Sequence, residues 1–116
     1  MGLTTHVLDT STGKPAAGLK VTLNRLENGT ATTIVEAVTN SDGRCDAPLI
    51  ADGDVVPGTY ELIFRAGDYF DAAGTDLPDP KFLDVIPIRF GMSDPSAHYH
   101  VPLLLSPFGY STYRGS

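Results

Sequence analysis

Apolar residues recur at every second position of this sequence, and glycine, proline, asparagine or aspartate cuts the pattern at short intervals. Side chains alternate between the two faces of a strand, so this period gives each segment one buried face and one wet face. In "GLKVTLNRL", Leu19, Val21 and Leu23 point one way while Lys20, Thr22 and Asn24 point the other. "GTYELIFR" repeats the arrangement with Tyr60, Leu62 and Phe64 inward. Short alternating strands between frequent turns describe an all-β chain, a small antiparallel sandwich. In "TNSDGR", Asp42-Gly43 supplies the positive φ that a tight hairpin needs. A strand over residues 33–39 therefore ends there and the next begins, with Arg44 at the mouth of the turn and Asp42 and Asp46 flanking it as caps. "GDYFDAAG" breaks the period, which predicts one short helix stopping at Gly74. "KFLDVIPIRF" resumes a strand, and Pro87, with no N–H to give, places it at an edge or a bulge.

A length of 116 residues suits one domain spanning 1–116, and 41% hydrophobic with 19% charged residues is the composition of an ordinary globular protein. A formal net charge of -6 gives no electrostatic reason to bind nucleic acid. The apolar run "VPLLL" is far short of the roughly 20 residues that cross a bilayer. "MGLTTHVLD" lacks the basic and apolar regions of a secretory signal, so the expected location is the cytoplasm. The lone cysteine, Cys45, forms no intrachain disulfide and is expected to be quietly buried rather than nucleophilic. The sequon Asn28-Gly29-Thr30 would matter only in a secreted chain.

The last strands carry the chemistry. In "HYHVPLLLSPFGYSTYRGS", Tyr99, Val101, Leu103 and Leu105 share a core face. The opposite face holds His98, His100, Pro102 and Leu104, with no lysine or glutamate, which is odd for a surface in bulk water and implies contact with another subunit. His-x-His on a strand, with His6 as a third ligand, fits a metal site. A metal-free hydrolase would instead use imidazole to take a proton from water and arginine to polarise the attacked carbonyl, roles open to His6, His100 and Arg44. Residue types alone do not choose between these readings.

Three blocks together, "LTTHVLDTSTGKPA", "NSDGR" and "HYHVPLLLSPFGYSTYRGS", resemble the 5-hydroxyisourate hydrolase branch of the transthyretin-like family from Leu3 to Ser116. The terminal Tyr-Arg-Gly-Ser is the distinguishing motif of that branch. The resemblance implies a prealbumin-like antiparallel β-sandwich of eight strands in two four-stranded sheets with one short helix, assembled as a homotetramer with sites at subunit interfaces. It implies hydrolysis of 5-hydroxyisourate to 2-oxo-4-hydroxy-4-carboxy-5-ureidoimidazoline, in urate degradation, with no metal or other cofactor. The catalytic residues it implies are His6, Arg44, His100 and Ser116, and the substrate-binding residues His6, Arg44, Tyr113 and Arg114. His98 becomes a supporting residue, since it stands two strand positions, about 7 Å, from His100. The chain's end is expected to enter the site, with the Ser116 carboxylate and Tyr113 orienting substrate. The competing function on the same fold is a transthyretin-like small-molecule carrier, which needs an apolar channel where this sequence would place His6, Arg44 and His100.

Overall fold

The alternating segments form strands in the computed structural model, which describes residues 2–115. They are β1 (Leu3–Asp9), β2 (Lys14–Pro15), β3 (Lys20–Glu27), β4 (Thr30–Val38), β5 (Gly58–Arg65), β6 (Val85–Met92), β7 (Tyr99–Ser106) and β8 (Gly109–Thr112), with one helix, α1 (Ala66–Ala72), between β5 and β6. Two four-stranded sheets, ordered β2-β1-β7-β8 and β4-β3-β5-β6, face each other. The sandwich with one short helix is therefore as the sequence implies. Leu19, Val21, Leu23, Tyr60, Leu62 and Phe64 are all buried between the sheets. Pro87 sits on β6, the edge of its sheet, where its missing N–H costs no ladder bond. Asn28 and Gly29, at φ 50° and 78°, close the β3–β4 hairpin in the left-handed region that such turns require. Among the described residues no helix is long and apolar enough to cross a membrane.

Two features depart from the alternation read along the chain. All strand pairs are antiparallel except β1 with β7, which run parallel over seven register pairs from Leu3↔Tyr99 to Asp9↔Leu105. Parallel neighbours need a long connection, and here the whole second sheet supplies it. The residues after the Asp42-Gly43 turn also form no strand. They lie along β1 as isolated bridges, His6↔Arg44 and Leu3↔Ile50, because Pro48, Gly53 and Pro57 interrupt any continuous ladder.

Helix α1 buries Ala66, Gly67 and Phe70 and stops before Gly74, whose φ of 77° allows the chain to turn back. It is tied to the first sheet by a polar contact. Asp9, 2% exposed, accepts a hydrogen bond from the Tyr69 hydroxyl at 2.7 Å on one carboxylate oxygen, and the Ser11 amide and hydroxyl on the other. Burial, then the bond to Asp9, pushes the Tyr69 phenol up to about 12. The raised value means that this contact stabilises the fold fully below the phenol's ordinary value of 10.0 and that its contribution is lost as pH rises through about 12. Tyr69→Phe leaves one oxygen of a buried carboxylate without its donor. The variant should lose roughly 1–2 kcal/mol in denaturant unfolding at pH 7, and the deficit relative to the parent should vanish above the phenol's titration. An equal deficit at every pH would contradict the linkage.

Candidate active site

Strand β1 buries Leu3, Thr5, Val7 and Asp9 and turns Thr4, His6 and Leu8 outward. The parallel register sets Thr4 beside His100, His6 beside Pro102 and Leu8 beside Leu104. On the other side of β7, Ser111 of β8 faces Leu104. The outer face of this sheet thus gathers residues from both ends of the sequence, with imidazoles toward one end and leucines toward the other.

Arg44 reaches this face through the 40–44 turn. The Asn40 side-chain oxygen accepts the amides of Asp42 (2.9 Å) and Arg44 (3.2 Å), while its main chain closes the turn through Gly43 N–H to Asn40 O (2.9 Å) and Asn40 N–H to Arg44 O (2.7 Å). Asn40 is therefore the capping residue, where sequence reasoning named Asp42 and Asp46; the Asp46 carboxylate only accepts from the Asn40 amide nitrogen, at 2.9 Å. Gly43 has φ 73°, its carbonyl accepts the Val7 amide at 2.8 Å, and a Cβ there would collide with the Val7 carbonyl oxygen. Only glycine lets the turn press this closely on β1, and the reward is the bridge that sets Arg44 against His6. Cys45, the next residue, turns back toward the core. Burial, then the Asp46 charge, pushes its thiol up, away from the thiolate that a nucleophile requires.

His100 is the most constrained of the histidines. Its Nδ1 lies 2.8 Å from the Thr4 hydroxyl oxygen. Its ring stacks on His98, with centroids 6.4 Å apart and planes 16° from parallel. Its carbonyl accepts the Gly115 amide at 2.8 Å, and a Cβ on Gly115 would stand 2.6 Å from the ring's Cδ2. Burial lowers its pKa below the ordinary imidazole value, and the nearby Arg44, His6 and His98 lower it further. His100 is thereby neutral at physiological pH, and Arg44 and His6 are its electrostatic neighbours. Nδ1 of His98 is buried without a hydrogen-bond partner among the described residues. No group of three or more His, Cys, Asp or Glu among the described residues is gathered as a metal site.

The last residues divide. Tyr113 is 58% exposed and, with Arg114, lines a cavity of about 250 Å³ that also touches Tyr99 and His100. The Arg114 guanidinium lies over the Tyr99 ring, 4.6 Å from its centroid, and reaches the His98 carbonyl at 3.5 Å. The structure thus holds Arg114 against a buried aromatic ring. Ser116 lies outside the described residues. A separate cavity of about 470 Å³ is lined by Arg25, Tyr60 and Ile34, on the other sheet. Its arginine is already bonded to Glu27, the Tyr60 hydroxyl and the Val56 and Pro57 carbonyls. Thr4 and Asn40 escaped sequence reasoning. Thr4 is adjacent to the "TH" dipeptide, but only the parallel register shows what it touches.

A family model described as the HIUase/Transthyretin family matches residues 3–115. The chain belongs to that family. Among its relatives, 5-hydroxyisourate hydrolase 2 of Rhizobium meliloti (strain 1021) is 61% identical over 114 residues, 98% of this chain and 95% of its own length. A solved (S)-allantoin synthase structure superposes with a TM-score of 0.93 at 47% identity, covering 99% of this chain and 43% of its own. Sea bream transthyretin in complex with thyroxine superposes with a TM-score of 0.86 at 28% identity, covering 99% of this chain and 95% of its own. Enzyme and carrier share this sandwich, so the side chains on its outer face have to distinguish them.

The turn that presents Arg44 offers a direct check. Gly43→Ala forces a left-handed φ on a residue with a Cβ and sets that Cβ against the Val7 carbonyl, so stability should fall by about 1–3 kcal/mol. The Arg44 and His6 resonances should move together in NMR spectra while those of α1 stay in place. Unchanged His6 signals in this variant would mean that the turn does not hold the pair.

Proposed function

We propose that this chain is a hydrolase of 5-hydroxyisourate, opening its six-membered ring to 2-oxo-4-hydroxy-4-carboxy-5-ureidoimidazoline. The observation that carries this reading is the meeting of three residues on one outward face, where the His6↔Arg44 bridge abuts the Thr4↔His100 pair. The names of the 61%-identical relative and others like it point the same way. In this mechanism a water held by His6 and His100 loses its proton to the neutral His100 imidazole as it adds to the ring carbonyl. Arg44 stabilises the oxyanion that forms, and the C–N bond then breaks with the proton returned to the departing nitrogen. No metal enters any step. The exposed Tyr113 ring contacts the substrate, and Ser116 is retained as a catalytic residue on the strength of the family motif alone. Arg114, assigned to substrate by the motif, keeps that role in this reading, supported by its place beside Tyr113 in the cavity that also touches His100.

The carrier reading shares the fold of the thyroxine-bound transthyretin but not the lining that an apolar ligand needs. A channel for an apolar hormone would have to desolvate His6, Arg44 and His100 without returning polar contacts. The assembly we infer is a homotetramer with its sites at subunit interfaces. It is supported by the half-buried Leu8 and Leu104 on the outer face and by Phe108 and Tyr110, which are 62% and 46% exposed in the isolated chain.

Freshly generated 5-hydroxyisourate, followed by its ultraviolet absorbance, should decay faster with the protein than spontaneously. His100→Asn should reduce kcat/KM by roughly two orders of magnitude and leave the fold intact by circular dichroism. Because the base acts unprotonated and its pKa is lowered, the midpoint of the acid limb of kcat/KM should lie below the ordinary imidazole value of 6.5, with more than half of the full activity retained at that pH. A limb centred above it would reject His100 as the base. Exhaustive chelation should leave the rate unchanged, and loss restored by zinc would overturn the metal-free steps.

A further inference from the structure

Three neighbours fix the His100 ring. Gly115 lies against Cδ2, His98 stacks 6.4 Å away, and the Thr4 hydroxyl meets Nδ1 at 2.8 Å. None of these is a carboxylate that would fix the tautomer. A histidine works as a base only through the nitrogen that lacks a proton, and the bond made by its other nitrogen decides which one that is. A threonine hydroxyl can give or accept, so the contact admits two tautomers, of which only one leaves a lone pair on Nε2.

We propose that Thr4 is a positioning residue: its oxygen accepts the Nδ1–H of His100, which holds the proton on that nitrogen and leaves the Nε2 lone pair for water. The main chain of Thr4 also favours a proton on this ring, opposing the larger lowering by burial and by Arg44, His6 and His98. The placement follows from the fold. Thr4 is the residue directly opposite His100 in the parallel ladder, so strand register, not a flexible side chain, sets the contact. Gly115, having no Cβ, leaves the ring the space it occupies against β1. The role in catalysis rests on the hydrolase reading, but the tautomer does not.

Two readouts test it on the full chain. In long-range nitrogen–proton NMR spectra of the parent at neutral pH, His100 should show a protonated Nδ1 and a bare Nε2. Thr4→Val, which keeps the branched shape and removes the hydroxyl, should shift His100 toward the Nε2–H form and move its titration to lower pH, because an acceptor that stabilised the protonated ring is gone. In the hydrolysis assay the same variant should lose roughly ten-fold in kcat, the scale of one hydrogen bond, with little change in KM and with its acid limb displaced downward. Thr4→Ser should restore both the tautomer and the rate. A bare Nδ1 in the parent overturns the proposal, as does a Thr4→Val protein with parental tautomer and pH profile. If the parent protein fails to accelerate decay of 5-hydroxyisourate, the hydrolase reading falls while the nitrogen spectra still decide the part played by Thr4.

Discussion

The structure turns on the parallel pairing of β1 with β7. Every other strand contact joins antiparallel neighbours, several of them through short turns, but this ladder joins segments with most of the chain between them. A slip of one residue would expose Leu3, Val7 and Leu103 to the outer face and send Thr4, His6 and His100 into the core. The apolar alternation of two strands thus fixes the positions of the histidines more firmly than any bond the histidines make themselves. The buried Asp9 closes the far end of that ladder and ties it to α1 through Tyr69, so one strand serves as core element, site wall and helix tether.

The site is built against this rigid strand by two glycines, for different reasons. Gly43 supplies a left-handed turn that lets the main chain carrying Arg44 lie on β1. Gly115 has no conformational role of that kind; it supplies absence of volume beside an imidazole. Between them, the main chain that carries Arg44 and the ring of the base are set against β1 before any substrate binds. The charge balance follows from the same packing. Burial and a cationic neighbour both keep His100 neutral, the state that a base needs.

Much of this was legible in the sequence because it depends on local pattern. Period two identified the faces of β3, β5 and β7, Gly74 marked the end of the helix, and Pro87 marked an edge. The residues brought to the outer face, His6, Arg44 and His100, were also nameable from motif blocks. What was hidden belongs to pairings between distant segments. The residues after Gly43 looked like a strand of their own, but their partner is β1 rather than a sequence neighbour, and prolines restrict them to single bridges. The caps were read as aspartates because both flank the turn, whereas Asn40 has the one side chain that both accepts from the turn amides and donates to Asp46. Arg114 was nameable from the motif, but only the tertiary arrangement shows its guanidinium over Tyr99. No period or motif could report the contact of Thr4 with His100.

The separation along the chain has a consequence for how the molecule comes into being. Thr4 and His100 touch although 96 positions apart, and the strand between them in time is the whole second sheet. During synthesis β1 emerges before the second sheet and has no ladder partner except the short β2 until β7 is made. Until then it is held only by β2 and by the bridges from residues 43–50, an incompletely paired apolar strand of the kind that aggregates when left alone. The second sheet, by contrast, is complete before β7 is made, although β5 pairs with β3 rather than with its sequence neighbour β4. A chain made as far as Met92 therefore holds the strands of one complete sheet and no site, which forms only when β7 docks against β1.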